Sequence, residues 1–289
     1  MKIGFIGTGV MGNSIGGHLL DGGHELSVYT RTASKAEDLL SKGAVWKNNP
    51  QELAQSAEVI FTMVGYPSDV EEVYFGENGL LQHAEKGAIF VDLTTSQPKL
   101  AQKIAQAAKE KGMHALDAPV SGGDIGAKNA VLSVMVGGEE PIFNDILPLF
   151  RLFAENIIHQ GPAGSGQHTK MCNQINIANN MLGVCESLIY AKKAGLDPEK
   201  VLLSITTGAA GSWSLSNLAP KMIEGDFRPG FYIKHFIKDM KIAVQAAEQW
   251  GLDLPGLKLS LGLYEELEDA GDGDLGTQAL IRHFDFAEK

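Results

Sequence analysis

Cysteine is almost absent from this chain of 289 residues, where only Cys172 and Cys185 occur. Both fall in a stretch that reads as one helix, and the separation of 13 residues at a rise of about 1.5 Å holds them roughly 20 Å apart, so they cannot pair within the chain. Neither His-Glu-x-x-His nor Cys-x-x-Cys spacing occurs, which leaves a structural or catalytic metal without a ligand set. Long apolar runs are missing too. Nothing approaches the roughly 18 residues of a spanning helix, and the apolar start is broken by Gly4, Gly7, Gly9 and Gly12. Positive charge is scarce: 24 Lys plus Arg face 35 Asp plus Glu, and the net charge of −11 repels nucleic-acid phosphates and anionic membrane surfaces. An anionic ligand must then be met by a few placed cations. The expectation is a mature, cytosolic protein with no metal, nucleic-acid or membrane partner.

What is present is an ordinary globular balance, with 44% hydrophobic and 20% charged residues, enough to bury a sizeable core. The length suggests two domains. From Lys2 to about Gln160, short runs rich in Ile, Val and Phe at 2–6, 25–29, 59–64, 88–93, 114–117, 132–136 and 156–159 alternate with helix-like segments such as 97–111 and 139–153. That alternation predicts β-α-β units feeding a parallel sheet covered on both faces. After the Gly-rich stretch 161–166 no β-branched run remains and the chain reads as helix after helix. A boundary near 162 follows, with domains 1–162 and 163–289. Residues 167–194 predict one helix of about seven turns joining the two, ended by Gly195 and followed by an Asp197-Pro198 helix start. The acidic, Gly-containing stretch 265–274 reads as a loop.

Directly after the first strand stands Gly7-Thr8-Gly9-Val10-Met11-Gly12, a Gly-x-Gly-x-x-Gly turn at the mouth of a helix. Gly7 permits the tight turn, Gly9 lets a pyrophosphate approach the backbone, and Gly12 lets helix and strand pack closely while helix N–H groups bind the anion. A dinucleotide is therefore expected. At the end of the second strand, where an NAD-preferring site would place Asp or Glu against the ribose hydroxyls, the chain reads Tyr29-Thr30-Arg31-Thr32. Arg31 flanked by two hydroxyls suits a 2′-phosphate, which favours NADP(H) and leaves NAD(H) open. Val64-Gly65-Tyr66-Pro67 and Asp92-Leu93-Thr94-Thr95-Ser96 each follow a predicted strand and could line the same cofactor. Ser121-Gly122-Gly123 offers a hydroxyl and unobstructed backbone N–H groups to a carboxylate, or forms an ordinary turn.

Along the long helix Lys170, Asn173 and Gln174 stand at i, i+3 and i+4, so one face presents an ammonium and two amides toward an interdomain cleft. A hydride arriving at a carbonyl carbon leaves an alkoxide that needs a proton donor, and Lys can serve where its surroundings depress its pKa. His168 points elsewhere on the helix and reads as structural or solvated. Lys238 is a second cation that could reach the cleft, or else belongs to a surface ion pair. Trp213 is expected in the core unless the Gly211-Ser212 turn presents its ring to a pocket.

Gly4 to Gly12, Asp92-Leu-Thr-Thr95, Asp117-Ala-Pro-Val-Ser-Gly-Gly123, Lys170-x-x-Asn173-Gln174 and Ile237-Lys238-Asp239, taken in order over nearly the whole chain, resemble the β-hydroxyacid dehydrogenases. The resemblance implies an α/β, Rossmann-type N-terminal domain, an all-α C-terminal domain, and an active site between them. It implies that Lys170 is the general acid in reduction and base in oxidation, with Asn173 orienting the substrate. Ser121, Gly122 and Gly123, with Gln174, would hold a small substrate carboxylate; Thr95 would touch the nicotinamide ribose and Lys238 close over the cofactor. The expected reaction interconverts a 3-hydroxy acid and its semialdehyde. A nucleotide-sensing module of the same fold and an imine reductase are the alternatives, both disfavoured by Lys170. A homodimer or homotetramer is expected.

Overall fold

The computed structural model describes residues 1–284 and 286. Its β-branched runs form nine strands among the described residues: β1 (Lys2–Ile6), β2 (Glu25–Tyr29), β3 (Val45–Trp46), β4 (Val59–Thr62), β5 (Ile89–Asp92), β6 (His114–Asp117), β7 (Val120–Ser121), β8 (Leu132–Gly137) and β9 (Ala154–Gly161). They build one sheet in the order β3-β2-β1-β4-β5-β6-β8-β7, with β9 on β8. Successive side chains of a strand point to opposite faces, so the unbroken apolar runs of β4 and β5 fill two cores at once. Phe61 and Val91 join one cluster with Phe5, Val28 and Phe150, while Ile60 and Phe90 join another with Ile6 and Tyr74. Helices cover both faces, which is why these strands need no polar alternation.

The carboxyl half of the sheet departs from the all-parallel expectation. β3 through β6 run parallel, but β8 pairs antiparallel with β6 and with the short β7, and β9 returns parallel to β8. The short helix Gly123–Lys128 between β7 and β8 reverses the chain, so β8 comes back without a full crossover. β3 and β7 are two-residue strands, below the length at which alternation can be read.

The helices beyond Gly161 include Ser165–Lys193, Pro198–Ile205, Ile233–Glu248 and Pro255–Leu267. Gly195 takes φ +72°, the left-handed stop that suits glycine. Asp197 then caps the next helix by accepting from the N–H groups of Glu199 and Lys200. Met181, Leu188, Phe236, Met240 and Tyr264 form the core here, and the buried Tyr264 hydroxyl donates to Thr277 O at 2.8 Å. The acidic stretch expected as a loop continues the helix Pro255–Leu267 over its first residues and breaks at Gly271, whose φ of +93° is not helical. Cations offset its negative charge: Lys241 meets Glu265 at 2.8 Å, Arg282 meets Asp272 at 2.8 Å and Lys234 meets Asp274 at 2.5 Å. Trp213 is 67% exposed, not core, because it opens a short helix behind its cap Ser212.

The chain divides into two units, Met1–Lys170 and Met171–Lys289. The division falls eight residues after the expected boundary at 162 because the sheet keeps the start of the long helix. Both oxygens of Asp117, the last residue of β6, accept backbone N–H groups from that start, Gly164 at 2.7 Å and Gln167 at 2.8 Å. A side chain on Gly166 would collide with the carbonyls of Met135 and Asp117, so glycine lets the helix begin against the sheet.

Candidate functional site

Strand register sets the site in the first unit. Tyr29 pairs with Ile6, Ile6 with Thr62, Thr62 with Asp92 and Asp92 with Asp117, so the last residues of five parallel strands stand in one row. At about 4.8 Å between strands the row spans roughly 19 Å. Each of the loops 7–12, 30–32, 63–66, 93–97 and 118–123 leaves the sheet from this edge, where open α/β sheets bind their ligands.

The glycine turn has the shape a pyrophosphate requires. Gly7 takes φ +98° and its N–H donates to Tyr29 O at 2.9 Å, while a Cβ there would strike the Met63 carbonyl. A Cβ on Gly12 would strike the carbonyl of Gly7, and one on Gly9 would meet nothing within 4 Å. Two glycines thus serve close packing and one leaves the approach to the backbone open. Thr8 is 2% exposed and its Oγ1 has no hydrogen-bond partner among the described residues, a buried polar atom that a bound phosphate oxygen could satisfy. Val10 and Met11 begin the helix Val10–Asp21. The chain's own residues therefore fit a dinucleotide.

At the end of β2, Thr30 is half-buried while Arg31 and Thr32 are exposed. The Arg31 guanidinium lies 3.0 Å from Asp69 Oδ1, and the other oxygen of Asp69 accepts the Tyr66 N–H at 3.1 Å. Arg31 is thereby held beside the loop that follows β4. Its side chain remains 77% exposed, so this pair contributes little to stability.

A continuous buried network occupies the middle of the row. Asp92 Oδ1 accepts from Thr62 Oγ1 at 2.9 Å and from Thr94 N at 3.0 Å, and Thr94 Oγ1 accepts from Val64 N at 3.0 Å. Gln167 Oε1 accepts from Ser96 N at 2.9 Å and its Nε2 donates to Thr94 O at 2.8 Å. Lys170 follows on the same helix and is 7% exposed. Thr95, between the two residues that Gln167 holds, is half-buried.

Burial pushes the Asp117 carboxyl up to about 6, against the two N–H donors that favour its ionised form. Its folded value lies above the ordinary 3.8, so between those values the folded chain holds a proton that the unfolded chain has released. Stability then falls as pH rises across that window and levels off above it. Wild-type unfolding free energy, relative to Asp117→Asn, is expected to drop by about 2 kcal/mol between pH of about 4 and about 6.5. Urea titrations across that range check it; a difference independent of pH contradicts it.

Ser121 ends β7 and is half-buried, and Gly122 and Gly123 take φ +130° and +65°. Consecutive glycines with positive φ leave backbone N–H groups uncovered by side chains. In the second unit Asn173 Nδ2 donates to Gln174 Oε1 at 2.7 Å, Gln174 Nε2 donates to Asp239 Oδ2 at 2.7 Å, and Lys238 Nζ lies 3.1 Å from Asp239 Oδ1. Gln174 and Asp239 are buried, at 1% exposure each. His168 is half-buried, and desolvation lowers its pKa. Gln167, Asp69 and the part played by Asp117 were not found from sequence. The spacing Gly161-x-x-Gly164-x-Gly166 ahead of Gln167 was the available signal, since glycines at a helix start mark close backbone approach. No group of three or more potential metal ligands occurs among the described residues, and no helix there is long and apolar enough to cross a membrane.

Comparison with known proteins agrees with this layout. Residues 2–161 match the family model of the NAD binding domain of 6-phosphogluconate dehydrogenase. Residues 164–284 match that of the NAD-binding of NADP-dependent 3-hydroxyisobutyrate dehydrogenase. An uncharacterized oxidoreductase of Bacillus subtilis is 61% identical over 97% of both chains. The 2-hydroxy-3-oxopropionate reductase of Escherichia coli is 40% identical over 98% of this chain and 96% of its own. Among solved structures, 3-hydroxyisobutyrate dehydrogenase of Mycobacterium tuberculosis with L-serine superposes with a TM-score of 0.90 at 29% identity, covering 98% of each chain.

Proposed function

Because this chain belongs to the β-hydroxyacid dehydrogenase family, and is thus an NAD(P)-dependent hydroxyacid dehydrogenase, we propose that it interconverts a small 3-hydroxy acid and its semialdehyde using NADP(H). The observation that carries the reading is a buried lysine, Lys170, on a helix whose start is hydrogen-bonded to the loop after β5. When bound, the dinucleotide supplies or accepts the hydride at the carbon that bears the oxygen. Lys170 Nζ then gives its proton to that oxygen in reduction and takes it back in oxidation, which spares the site a bare alkoxide. Asn173, one turn further on the same helix, orients the substrate. Ser121 Oγ and the N–H groups of Gly122 and Gly123 hold the carboxylate and align the reacting carbon. Thr95 and Val64 line the nicotinamide side, the turn Gly7 to Gly12 takes the pyrophosphate, and Gln174 and Lys238 are the further polar groups assigned to substrate and cofactor. L-serine on the M. tuberculosis relative is likewise a small carboxylate with a 3-hydroxyl.

NADP(H) is preferred in this reading because Arg31 stands where an acidic residue would favour NAD(H), with Thr30 and Thr32 beside it. A charge-assisted contact to a phosphate contributes about 1.5–3 kcal/mol, which corresponds to a factor of about 10 to 100. Arg31→Ala is therefore expected to lower kcat/KM for NADPH by that factor and to change the NADH value less than about threefold. Equal losses with both cofactors would remove Arg31 from phosphate recognition. The reading includes a homodimer or homotetramer, the closed symmetric assemblies most common among such chains. The decisive experiment is steady-state kinetics with succinic, tartronic and methylmalonic semialdehydes, each with NADH and NADPH. No oxidation of either cofactor by any of them would overturn the reading.

A further inference from the structure

Gln167 has no assigned role in the reaction and is fully buried. Its amide engages one loop: Oε1 accepts the Ser96 N–H at 2.9 Å and Nε2 donates to the Thr94 carbonyl at 2.8 Å. These two groups bracket Thr95, so the amide grips the backbone on either side of that residue. The backbone N–H of Gln167 is meanwhile held by Asp117 Oδ2 at 2.8 Å, and the N–H of Gly164 by Asp117 Oδ1 at 2.7 Å. Helix start, β5 loop and end of β6 are thereby held together by four hydrogen bonds.

Lys170 stands three residues beyond Gln167. Residues at that spacing are neighbours on one helix face, with Cβ atoms about 5–6 Å apart. Whatever fixes Gln167 against the β5 loop therefore also fixes the base of the Lys170 side chain against Thr95. The reaction needs this relation, because hydride and proton go to the two ends of one carbonyl bond and must arrive from groups in fixed register.

We propose that Gln167 is a positioning residue that sets the distance between the nicotinamide-contacting loop at Thr95 and the proton donor Lys170. The assignment rests on the reading of Thr95 and Lys170 given above. A loose staple leaves both groups present and both ligands bound, but lets helix and loop shift relative to each other. A misplacement of about 1 Å lowers turnover on the order of 100-fold.

The test replaces Gln167 with methionine, which keeps the length and removes both hydrogen bonds. A second variant, Gln167→Glu, keeps the acceptor for Ser96 and sets a second acceptor against the Thr94 carbonyl. For each, kcat is expected to fall on the order of 100-fold while KM for the acid and Kd for the cofactor move less than about threefold. The isotope effect with cofactor deuterated at the transferred position should rise as hydride transfer becomes rate-limiting. A defect that only lowered the folded fraction would leave both that effect and KM unchanged. Tyr264→Phe, which removes a buried hydrogen bond elsewhere, serves as the control for lost stability with unchanged kcat.

A readout that does not need turnover is hydrogen exchange of the Ser96 amide in the cofactor-free protein. It is expected to speed up at least tenfold in Gln167→Met, the loss of one protecting hydrogen bond of about 1.4 kcal/mol. If the Gln167→Met variant does not fold, Gln167→Glu decides. Turnover within threefold of wild type in either folded variant, or unaltered exchange at Ser96 in Gln167→Met, overturns the proposal. If the wild-type protein itself reduces no semialdehyde, the reading of the reaction has failed, and the Ser96 exchange still decides whether the staple exists.

Discussion

Lys170→Ala is expected to abolish measurable turnover, with kcat lowered on the order of 1,000-fold, the middle of the range that general acid–base catalysis supplies. Binding of NADPH should stay within about threefold of wild type, because the groups assigned to the nucleotide, in the loops after β1, β2, β4 and β5 and at Lys238, are left in place by the substitution. The split follows from the chemistry. Cofactor and carboxylate are held by groups that the substitution leaves alone, whereas the proton for the oxygen has no other assigned source. Lys170→Arg tests the same point from the other side, since guanidinium keeps the charge but yields its proton far less readily. Turnover within tenfold of wild type in Lys170→Ala, with cofactor bound, would falsify the assignment.

Gly9→Ala and Gly7→Ala are expected to separate cofactor binding from folding. Gly9 has extended backbone angles, φ −69° and ψ −170°, and a Cβ there meets no atom within 4 Å. Alanine fits, and stability should stay within about 0.5 kcal/mol of wild type. The open space is the one proposed for the pyrophosphate, so the methyl group should raise the Kd for NADPH on the order of 100-fold. Gly7 differs in both respects. Its φ of +98° is strained for alanine, and the new Cβ would collide with the Met63 carbonyl, a backbone atom that cannot swing aside. Gly7→Ala should lose both affinity and about 2 kcal/mol or more of stability. Calorimetric melts and cofactor titration on both variants check this. A Gly9→Ala protein that binds NADPH as wild type does would move the phosphate away from this turn.

Several features were legible because their causes are local in the chain. The alternation of β-branched runs with amphipathic stretches marked β1, β2, β4, β5, β6, β8 and β9 to within a few residues, since strand and helix periods differ. Gly7 and Gly12 sat directly after an apolar strand, and the fold contains the close approaches those glycines allow. Gly195 and Asp197 ended one helix and began the next through contacts that span only a few residues.

Other features depend on partners far away in the chain. Asp117 meets Gly164 and Gln167 at separations of 47 and 50 residues, and Gln167 reaches Ser96 across 71. No periodicity or propensity encodes such pairs. Their consequence is that the first turns of the long helix belong to the sheet unit, which moved the division from the expected 162 to after Lys170. The acidic stretch 265–274 likewise meets its cations from outside the stretch. Lys234 reaches Asp274 across 40 residues and Arg282 reaches Asp272 across 10, while Lys241 pairs with Glu265 from another helix. Charge composition alone cannot show such pairing.

Residue order alone determined the class of fold, the dinucleotide turn and the family, because each rests on short motifs whose chemistry is complete within a few neighbours. Tertiary structure alone decided which polar groups are buried together, that β8 runs against β6, and that Gln167 ties the Lys170 helix to the loop around Thr95. The physical reason is that burial and hydrogen-bond geometry are properties of surfaces brought together by folding, and a linear string carries no measure of what will lie opposite.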